Sequence, residues 1–279
     1  MKYADLHIHT TASDGILPPE EIVRWAKRIS LATIAITDHD TINGLDTAIK
    51  EGSKVGLHII PGIELSSHIG NYEVHILGYY INYMRSSLQA KLNILQEERN
   101  LRAKKMVSNL KSIYNIDIDM KHIERIAGNA AISRPHIGRV LIEMEIVQNL
   151  AEAFDIYIGN TCPAYVPRKS LSPQECIELI KEYGGIPVLA HPGLIANMDI
   201  VEQIVKMGIE GMEVYYPKHT AKQKKKFIDI CQQNRLLITG GSDFHDEFIN
   251  NIPSMGNIHL PYKYVELLKL KKLQINNRL

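Results

Sequence analysis

Short clusters of histidine and carboxylate residues recur along this chain of 279 residues, which contains twelve histidines. The clusters include His7, His9, Asp14, His39, Glu64, His75, His191, Asp243 and His245. Imidazole and carboxylate ligands without thiolate suit manganese, iron or zinc. So many ligands require two or three ions, and clustered ions bridged by a carboxylate generate a hydroxide nucleophile and hold phosphoryl oxygens. The residues therefore favour phosphoester hydrolysis over amide hydrolysis or deamination on one metal, which need fewer ligands.

Each motif alone is a weak signal, because a lone histidine in an apolar run, such as His75, is more often structural. The combination is informative, since burying several such side chains at strand ends is costly unless they are paired or bind metal. His7 and His9 are two positions apart, so on a strand they point to the same side and can bind one ion together.

The clusters lie in or directly after short apolar runs that predict β-strands over residues 2–9, 32–37, 57–61, 73–80, 186–190, 211–215 and 236–239. Helical patterns alternate with them over residues 18–30, 44–55, 173–183, 198–207 and 221–234. This alternation is typical of βαβ units and a mainly parallel sheet. Seven such strands predict a closed or nearly closed barrel, in which the carboxyl ends of the strands meet at one rim and form the active site.

Residues 82–159 interrupt the alternation. Helical patterns follow one another there without a strand, over residues 86–113, 121–127, 135–144 and 148–157. We expect a helical insertion that caps the active site, and a barrel domain formed by residues 1–81 and 160–279.

Composition and charge limit the class of protein. Lysine plus arginine (32) nearly balance aspartate plus glutamate (31), so the chain carries a formal charge of +1 and lacks a global basic field for stable binding of duplex DNA. No apolar run approaches the roughly 20 residues that span a bilayer, and the amino terminus does not resemble a signal peptide. Three widely spaced cysteines suit a reducing compartment. We expect a cytoplasmic enzyme that binds no membrane.

Taken in order, the motifs resemble those of the PHP (polymerase and histidinol phosphatase) family. They are Asp5-Leu6-His7-Ile8-His9 with Asp14, Thr37-Asp38-His39-Asp40, Gly62-Ile63-Glu64, His191-Pro192-Gly193 and Ser242-Asp243-Phe244-His245. With its insertion between His75 and His191, the chain resembles the stand-alone branch that includes nucleoside 3′,5′-bisphosphate phosphatases and 5′→3′ exoribonucleases. The resemblance implies an α/β fold, a distorted, TIM-like (β/α)7 barrel with a trinuclear metal site.

The resemblance also implies which residues bind the ions. One ion would be held by His7, His9, Glu64 and Asp243. A second would share Glu64 and add His75 and His191, and a third would bind Asp14, His39 and His245. Glu64, Asp243 and His191 are the expected catalytic residues. The expected cofactors are two to three divalent ions, manganese first, with iron or zinc as alternatives.

The substrate pocket is implied by the same resemblance. Ser133, Arg134 and His136, within Ser133-Arg134-Pro135-His136, resemble the phosphate-contacting segment of that branch, and Arg168 and His219 also follow the family pattern. Arginine suits phosphate because its fork of donors binds two oxygens. A helix start capped by Ser133 is an alternative interpretation of the first segment, and the two are compatible.

We expect a metal-dependent phosphoesterase that hydrolyses a phosphate monoester of a nucleotide, either a nucleoside 3′,5′-bisphosphate or a mononucleotide, through a metal-bound hydroxide. Its partner is a small phosphorylated substrate, a nucleotide or short oligonucleotide. The alternative enzymes are a 5′→3′ exoribonuclease on short RNA and a histidinol-phosphate-type small-molecule phosphatase. The non-enzymatic alternative is a metal-binding module of a larger assembly. The run Lys222–Lys226 is interpreted as a solvated helix face, with nucleic-acid contact as its alternative.

Overall fold

A computed structural model describes residues 2–167, 171–249 and 251–277. The chain divides into two compact units, Met1–Gln89 with Ser170–Leu279, and Ala90–Lys169. The divisions predicted from the sequence lie somewhat earlier, after residues 81 and 159. That the second unit caps the active site remains a prediction.

The first unit is built on an eight-stranded sheet. In chain order its strands are β1 (Tyr3–Asp5), β2 (Thr33–Ile36), β3 (His58–Ile69), β4 (Tyr72–Tyr79), β5 (Ile186–Leu189), β6 (Gly211–Tyr215), β7 (Leu237–Gly240) and β10 (Leu260–Pro261), while β8 (Phe248–Ile249) and β9 (Ile252–Pro253) form a separate hairpin. All seven predicted strands are present, and their sheet order follows the chain from β1 to β7, with β10 beside β1. The short strands β8, β9 and β10 were not predicted.

Backbone contacts between the two ends of this order close the sheet. Leu6 N donates to Gly240 O at 3.1 Å. A Cβ on Gly241 would overlap the backbone nitrogen and Cβ of His7, so glycine is required where the chain after β7 passes β1. The predicted α/β barrel is confirmed. β1 ends at Asp5, before the predicted end at residue 9, and the backbone beyond it continues to bond to this segment through His9 N, which donates to Phe244 O at 3.0 Å.

The fourth strand departs from the predicted parallel arrangement. β3 and β4 form a hairpin that pairs Gly62 with Tyr79, and β4 also runs antiparallel to β5. β3 was predicted to end at residue 61, but it continues to Ile69 because it pairs with β4. Pro61 does not end the strand, since it lacks only its own backbone N–H donor. His75 therefore lies within a strand that runs against its neighbours, and not near a carboxyl end.

Ten α-helices occur in the described residues: α1 (Pro19–Arg28), α2 (Leu45–Val55), α3 (Ser86–Tyr114), α4 (Met120–Ala127), α5 (Arg134–Glu143), α6 (Leu150–Ala153), α7 (Pro173–Glu182), α8 (Met198–Lys206), α9 (Ala221–Asn234) and α10 (Lys263–Asn276). The first nine fall on predicted helical patterns, whereas α10 was not predicted. Except in the β3–β4 hairpin, a helix of the barrel unit lies between each strand and the next from β1 to β7. The interior is filled by residues such as Leu6, Ala35, Ile60 and Val188.

The second unit has its own apolar core. Residues from α3, α4 and α5, among them Leu110, Ile123 and Leu141, pack together there, and α6 continues into a π-helical turn, Phe154–Ile158, that adds Ile158. A core of this size explains why the insertion folds compactly without a strand. Within the described ranges, no helix combines the length and apolarity that a membrane span requires.

Candidate metal centre

Glu64 lies at the centre of the histidine cluster and is fully buried in β3. Its backbone is fixed on both sides, because Asp40 N donates to Glu64 O at 2.9 Å and Glu64 N donates to Asp38 O at 3.2 Å. The Asp38 carboxylate accepts hydrogen bonds from Thr10 N at 2.7 Å and from Ser13 Oγ at 2.6 Å. The loops after β1 and β2 are thereby tied together around Glu64.

The two carboxylate oxygens of Glu64 face different histidines. Around Oε2 lie His7 Nε2 at 3.4 Å, His9 Nε2 at 3.2 Å and His39 Nδ1 at 3.0 Å. Around Oε1 lie His75 Nδ1 at 3.0 Å and His191 Nε2 at 3.1 Å. A carboxylate in this position has the geometry to bridge two ions.

Three groups of potential ligand atoms, each within 4.8 Å of one another, occur in the described part of the chain. They are His7, His9, Glu64 and Asp243; His39, Glu64 and His75; and His9, Asp14, His39 and His245. The first is the predicted quartet. The second holds His39 where the prediction placed His191, and the third adds His9 to the predicted three. The structure thus brings all nine predicted ligands together, and the assignment of ions to them remains a prediction.

His191 and Asp243 adopt left-handed backbone conformations, with φ of 26° and 55°. Such conformations strain non-glycine residues and persist where the surroundings fix them. His191 N donates to Glu213 Oε2 at 2.8 Å, and Asp243 N donates to His7 O at 2.8 Å. These bonds hold both side chains toward the cluster.

Several potential ligand atoms of the cluster are buried and lie close to one another without forming a hydrogen bond of good geometry: His7 Nε2, His9 Nε2, His39 Nδ1, His75 Nε2 and Glu64 Oε2. Buried polar atoms are normally hydrogen-bonded, and an unpaired one costs about 1–3 kcal/mol. Atoms of these types that face one another suit coordination to divalent cations. The residues present therefore fit a multinuclear metal site.

Burial and the neighbouring carboxylates together set the pKa values of the histidines. Burial lowers the pKa of His39 to about 4. Burial acts in the same direction on His75 and His245, but Glu64 and Asp14, respectively, outweigh it and raise each pKa to about 10. Burial favours a neutral Glu64, yet the histidines around it hold its pKa well below the ordinary value. The cluster therefore attracts positive charge, and a metal ion must displace protons to bind.

Glu213, a fully buried residue of β6, was not among the predicted site residues. Its Oε1 lies 3.1 Å from His7 Nδ1, and its Oε2 accepts the His191 N bond. When His7 Nδ1 donates to Glu213, its Nε2 faces Glu64 as a potential ligand atom. The available signal was a glutamate inside the apolar run Gly211-Met212-Glu213-Val214-Tyr215.

The predicted phosphate-contacting residues of the insertion lie together at the start of α5. Ser133 N donates to His136 Nδ1 at 3.1 Å, and both side chains are buried. Arg134 Nη1 donates to Asn160 Oδ1 at 2.5 Å, and its guanidinium lies 5.1 Å from the centre of the Phe154 ring. Ser133 is the N-cap residue of α5 and forms a capping box with His136, so the helix-capping interpretation is correct, and contact with phosphate remains a prediction. Arg168 lies outside the described residues.

His219 is buried in the barrel unit, after β6. Its Nδ1 donates to Val214 O at 2.9 Å, and its Nε2 accepts from Gly193 N at 3.0 Å. Burial lowers the pKa of this ring, which suits a neutral imidazole that donates and accepts. Since both nitrogens are engaged, a substrate contact would require one of these bonds to break. The geometry favours His219 as a support for the loop that carries His191.

A closed α/β barrel with a histidine and carboxylate cluster, mostly after the carboxyl ends of its strands, defines a class of metal-dependent hydrolases. The family model described as PHP domain matches residues 5–160, more than half of the chain. The chain belongs to the PHP family and is a metal-dependent phosphoesterase, a hydrolase acting on phosphoric ester bonds.

The similarity to known proteins covers most of the residues of both units. The 5′-3′ exoribonuclease Rnm of Escherichia coli (strain K12) is 33% identical, covering 86% of this chain and 84% of that protein. The 3′,5′-nucleoside bisphosphate phosphatase of Chromobacterium violaceum is 30% identical and covers 88% of this chain. A crystal structure from Bifidobacterium adolescentis, assigned as a metal-dependent phosphoesterase, has a TM-score of 0.88 at 26% identity and covers 96% of each chain.

Proposed function

We propose that this protein hydrolyses a phosphate monoester of a nucleotide, with a nucleoside 3′,5′-bisphosphate as the first candidate substrate. The observation that carries the proposal is the position of Glu64, whose two oxygens face separate groups of histidines. A relative 30% identical to this chain is named as a phosphatase for such a bisphosphate. The proposed cofactors are two to three divalent ions, manganese first, with iron or zinc as alternatives.

The proposed ligands are the nine residues of the cluster, with Glu64 shared between ions. When bound, such ions lower the pKa of a water molecule toward neutrality and neutralise charge on phosphoryl oxygens. Glu64, Asp243 and His191 are the residues proposed to hold the reacting centre in place. Tyr216 Oη donates to Asp243 Oδ2 at 3.0 Å and thereby leaves Oδ1 toward His7 and His9.

The insertion is proposed to cap this site and to provide phosphate contacts through Ser133, Arg134 and His136, with Arg168 as a further contact. Arg134 is half-buried and already holds an oxygen acceptor, Asn160 Oδ1. A guanidinium placed in this way is suited to bind a phosphate oxygen instead. We place the protein in the cytoplasm, since its three cysteines are widely spaced in the sequence and buried, which suits a reducing compartment.

A second candidate is 5′→3′ exoribonuclease activity on short RNA. It is supported by the 33% identity to an exoribonuclease over most of both chains. The two activities use the same ions and differ in the bond that is cleaved, a terminal monoester or an internucleotide diester.

The test is an assay of manganese-loaded protein on nucleoside 3′,5′-bisphosphate, mononucleotide, a sugar phosphate and 5′-phosphorylated short RNA, with released phosphate and released nucleotide measured separately. Phosphate release from the bisphosphate, abolished by a chelator, is the expected result. Nucleotide release from RNA without phosphate release from the bisphosphate would replace the first candidate by the second. Activity on no phosphoric ester would contradict both.

A further inference from the structure

A cluster of five lysines follows β6, on the connection to α9 and on its first two turns. This lysine cluster consists of Lys218, Lys222, Lys224, Lys225 and Lys226. Residues 214–228 contain no acidic residue. Because the whole chain carries a formal charge of only +1, the cluster is a local concentration of positive charge.

The stability of the helix does not account for this cluster. Lys222, Lys225 and Lys226 are exposed and lie on one face of α9, since residues three and four apart on a helix are neighbours. Like charges at this spacing destabilise a helix, and cations in the first turn oppose its dipole. None of the five lysines forms an ion pair within the described ranges, and Asp229, the one acidic residue of α9, does not pair with them. A bound anion would relieve the mutual repulsion.

The lysine cluster adjoins the loop that carries a proposed metal ligand. Gln223 Nε2, in the same turn of α9, donates to Gly193 O at 3.3 Å. Gly193 is two residues from His191, and its N donates to His219 directly before the helix. The first turn of α9 is thus fixed at the edge of the catalytic cluster, within the barrel unit.

We infer that the lysine cluster binds the sugar-phosphate backbone of single-stranded RNA whose terminal phosphoester lies in the metal centre. This inference rests on the second candidate of the proposed function, activity on short RNA, and names an extended substrate for the same site. A strand that leaves a phosphoesterase centre presents further phosphates at its edge, and a row of unpaired lysines on one helix face complements such a chain of charges. Lysine contacts to phosphates add affinity by counterion release, without reading the base sequence.

The test uses Lys222→Gln/Lys225→Gln/Lys226→Gln in the full-length protein. The matched control is Lys50→Gln/Lys206→Gln/Lys263→Gln, which removes three exposed lysines elsewhere on the barrel unit. Binding of a 3′-labelled, 5′-thiophosphorylated oligoribonucleotide with phosphorothioate linkages, which resists hydrolysis, to the metal-loaded protein is followed by fluorescence anisotropy over a range of salt concentrations. The wild type and the control should show the same steep salt dependence of log K. In the lysine variant the slope should fall by about 2, for three lost phosphate contacts at about 0.7 each, and affinity should fall roughly tenfold or more at low salt.

Equal slopes and affinities in all three proteins would overturn the inference, as would failure of the wild type to bind RNA. Tighter binding of the wild type to phosphatidylglycerol vesicles than to RNA would also overturn it. Hydrolysis of nucleoside 3′,5′-bisphosphate by the same metal-loaded preparations separates the two proposals. Hydrolysis without RNA binding is consistent with the proposed function and rejects only the inference that the lysine cluster binds RNA. RNA binding without hydrolysis of any phosphoric ester contradicts the proposed function.

Discussion

Glu213 and His7, which are 206 residues apart in the sequence, are joined by a buried contact of 3.1 Å between Oε1 and Nδ1. The same carboxylate accepts a hydrogen bond from His191 N. One residue of β6 therefore orients two proposed ligands that follow β1 and β5. Closure of the barrel makes this contact possible, because it brings the segment after β1 within reach of the strands at the other end of the sheet.

Glu213→Gln should weaken metal binding while the fold is retained. The amide keeps the shape of the side chain but removes the charge that favours Nδ1–H on His7, and loss of such an orienting partner typically costs 10–100-fold in metal affinity. Affinity is measured by competition with a chromophoric chelator. Glu210→Gln, which changes a partly buried glutamate just before the same strand, is the control. Equal affinities in the two variants would show that Glu213 does not orient the ligands.

Glu64→Gln should disrupt the metal cluster and lower kcat by roughly two orders of magnitude or more, on the scale of lost electrostatic stabilisation. The substitution removes, at constant volume, the charge of a side chain whose two oxygens face separate groups of histidines. Elemental analysis and steady-state kinetics check this result, and circular dichroism checks the fold. Near-native kcat together with full metal content would rule out the bridging role.

Purified protein should hold two to three equivalents of manganese, iron or zinc, and a chelator should abolish activity. Removal of the ions should also lower Tm, because ions that bind only the folded state stabilise it by mass action. The ions also coordinate the buried histidine and carboxylate atoms of the cluster that form no hydrogen bond of good geometry. Elemental analysis and thermal unfolding with and without chelator provide the readouts. Full activity in chelator and an unchanged Tm would contradict the metal centre.

Arg134→Ala should keep its metals and its Tm while kcat/KM falls roughly 10²-fold or more. The estimate follows from two charge-assisted hydrogen bonds to phosphate of about 1.5–3 kcal/mol each. Arg125→Ala, which removes an exposed arginine of α4 in the same unit, is the control. If kcat/KM falls only for a bisphosphate, Arg134 binds the phosphate that does not react. If kcat/KM falls equally for a 5′-monophosphate, Arg134 binds the phosphate that reacts. Unchanged kinetics on both substrates would exclude Arg134 from the pocket.

Gly241→Ala should destabilise the barrel by about 1–3 kcal/mol or more, because its methyl group would overlap His7 where the sheet closes. Gly70→Ala is the control that separates the steric effect of an added methyl group from the cost of placing alanine in a left-handed backbone conformation. That glycine has φ of 57° but no atom within 4 Å of the added Cβ, so only the cost of a left-handed residue, about 1–2 kcal/mol, is expected. The free energy of unfolding is measured by urea denaturation. A smaller loss at Gly241 than at Gly70 would contradict the steric account.

The elements themselves were predictable from local patterns. Apolar runs with punctuating polar residues predicted all seven strands from β1 to β7, and amphipathic spacing predicted nine helices, because these patterns reflect burial that each segment needs independently of its partners. The residue types at the strand ends were also sufficient to predict a metal-dependent phosphoesterase, since histidine and carboxylate at so many strand ends fit few other chemistries. The short strands β8, β9 and β10 and the helix α10 were missed, because their local patterns are weak.

Tertiary structure alone decided the direction of β4 and the identity of the supporting residues. A run of alternating residues such as 73–80 fits a parallel or an antiparallel neighbour equally well, so only the β3–β4 hairpin register places His75 opposite Ser66 and beside Glu64. Glu213 and Asp38 support the cluster through contacts with residues distant in sequence, and no local pattern encodes which histidine nitrogen a buried carboxylate will meet. Sequence determines which side chains are available for chemistry, and closure of the barrel determines which of their atoms face one another.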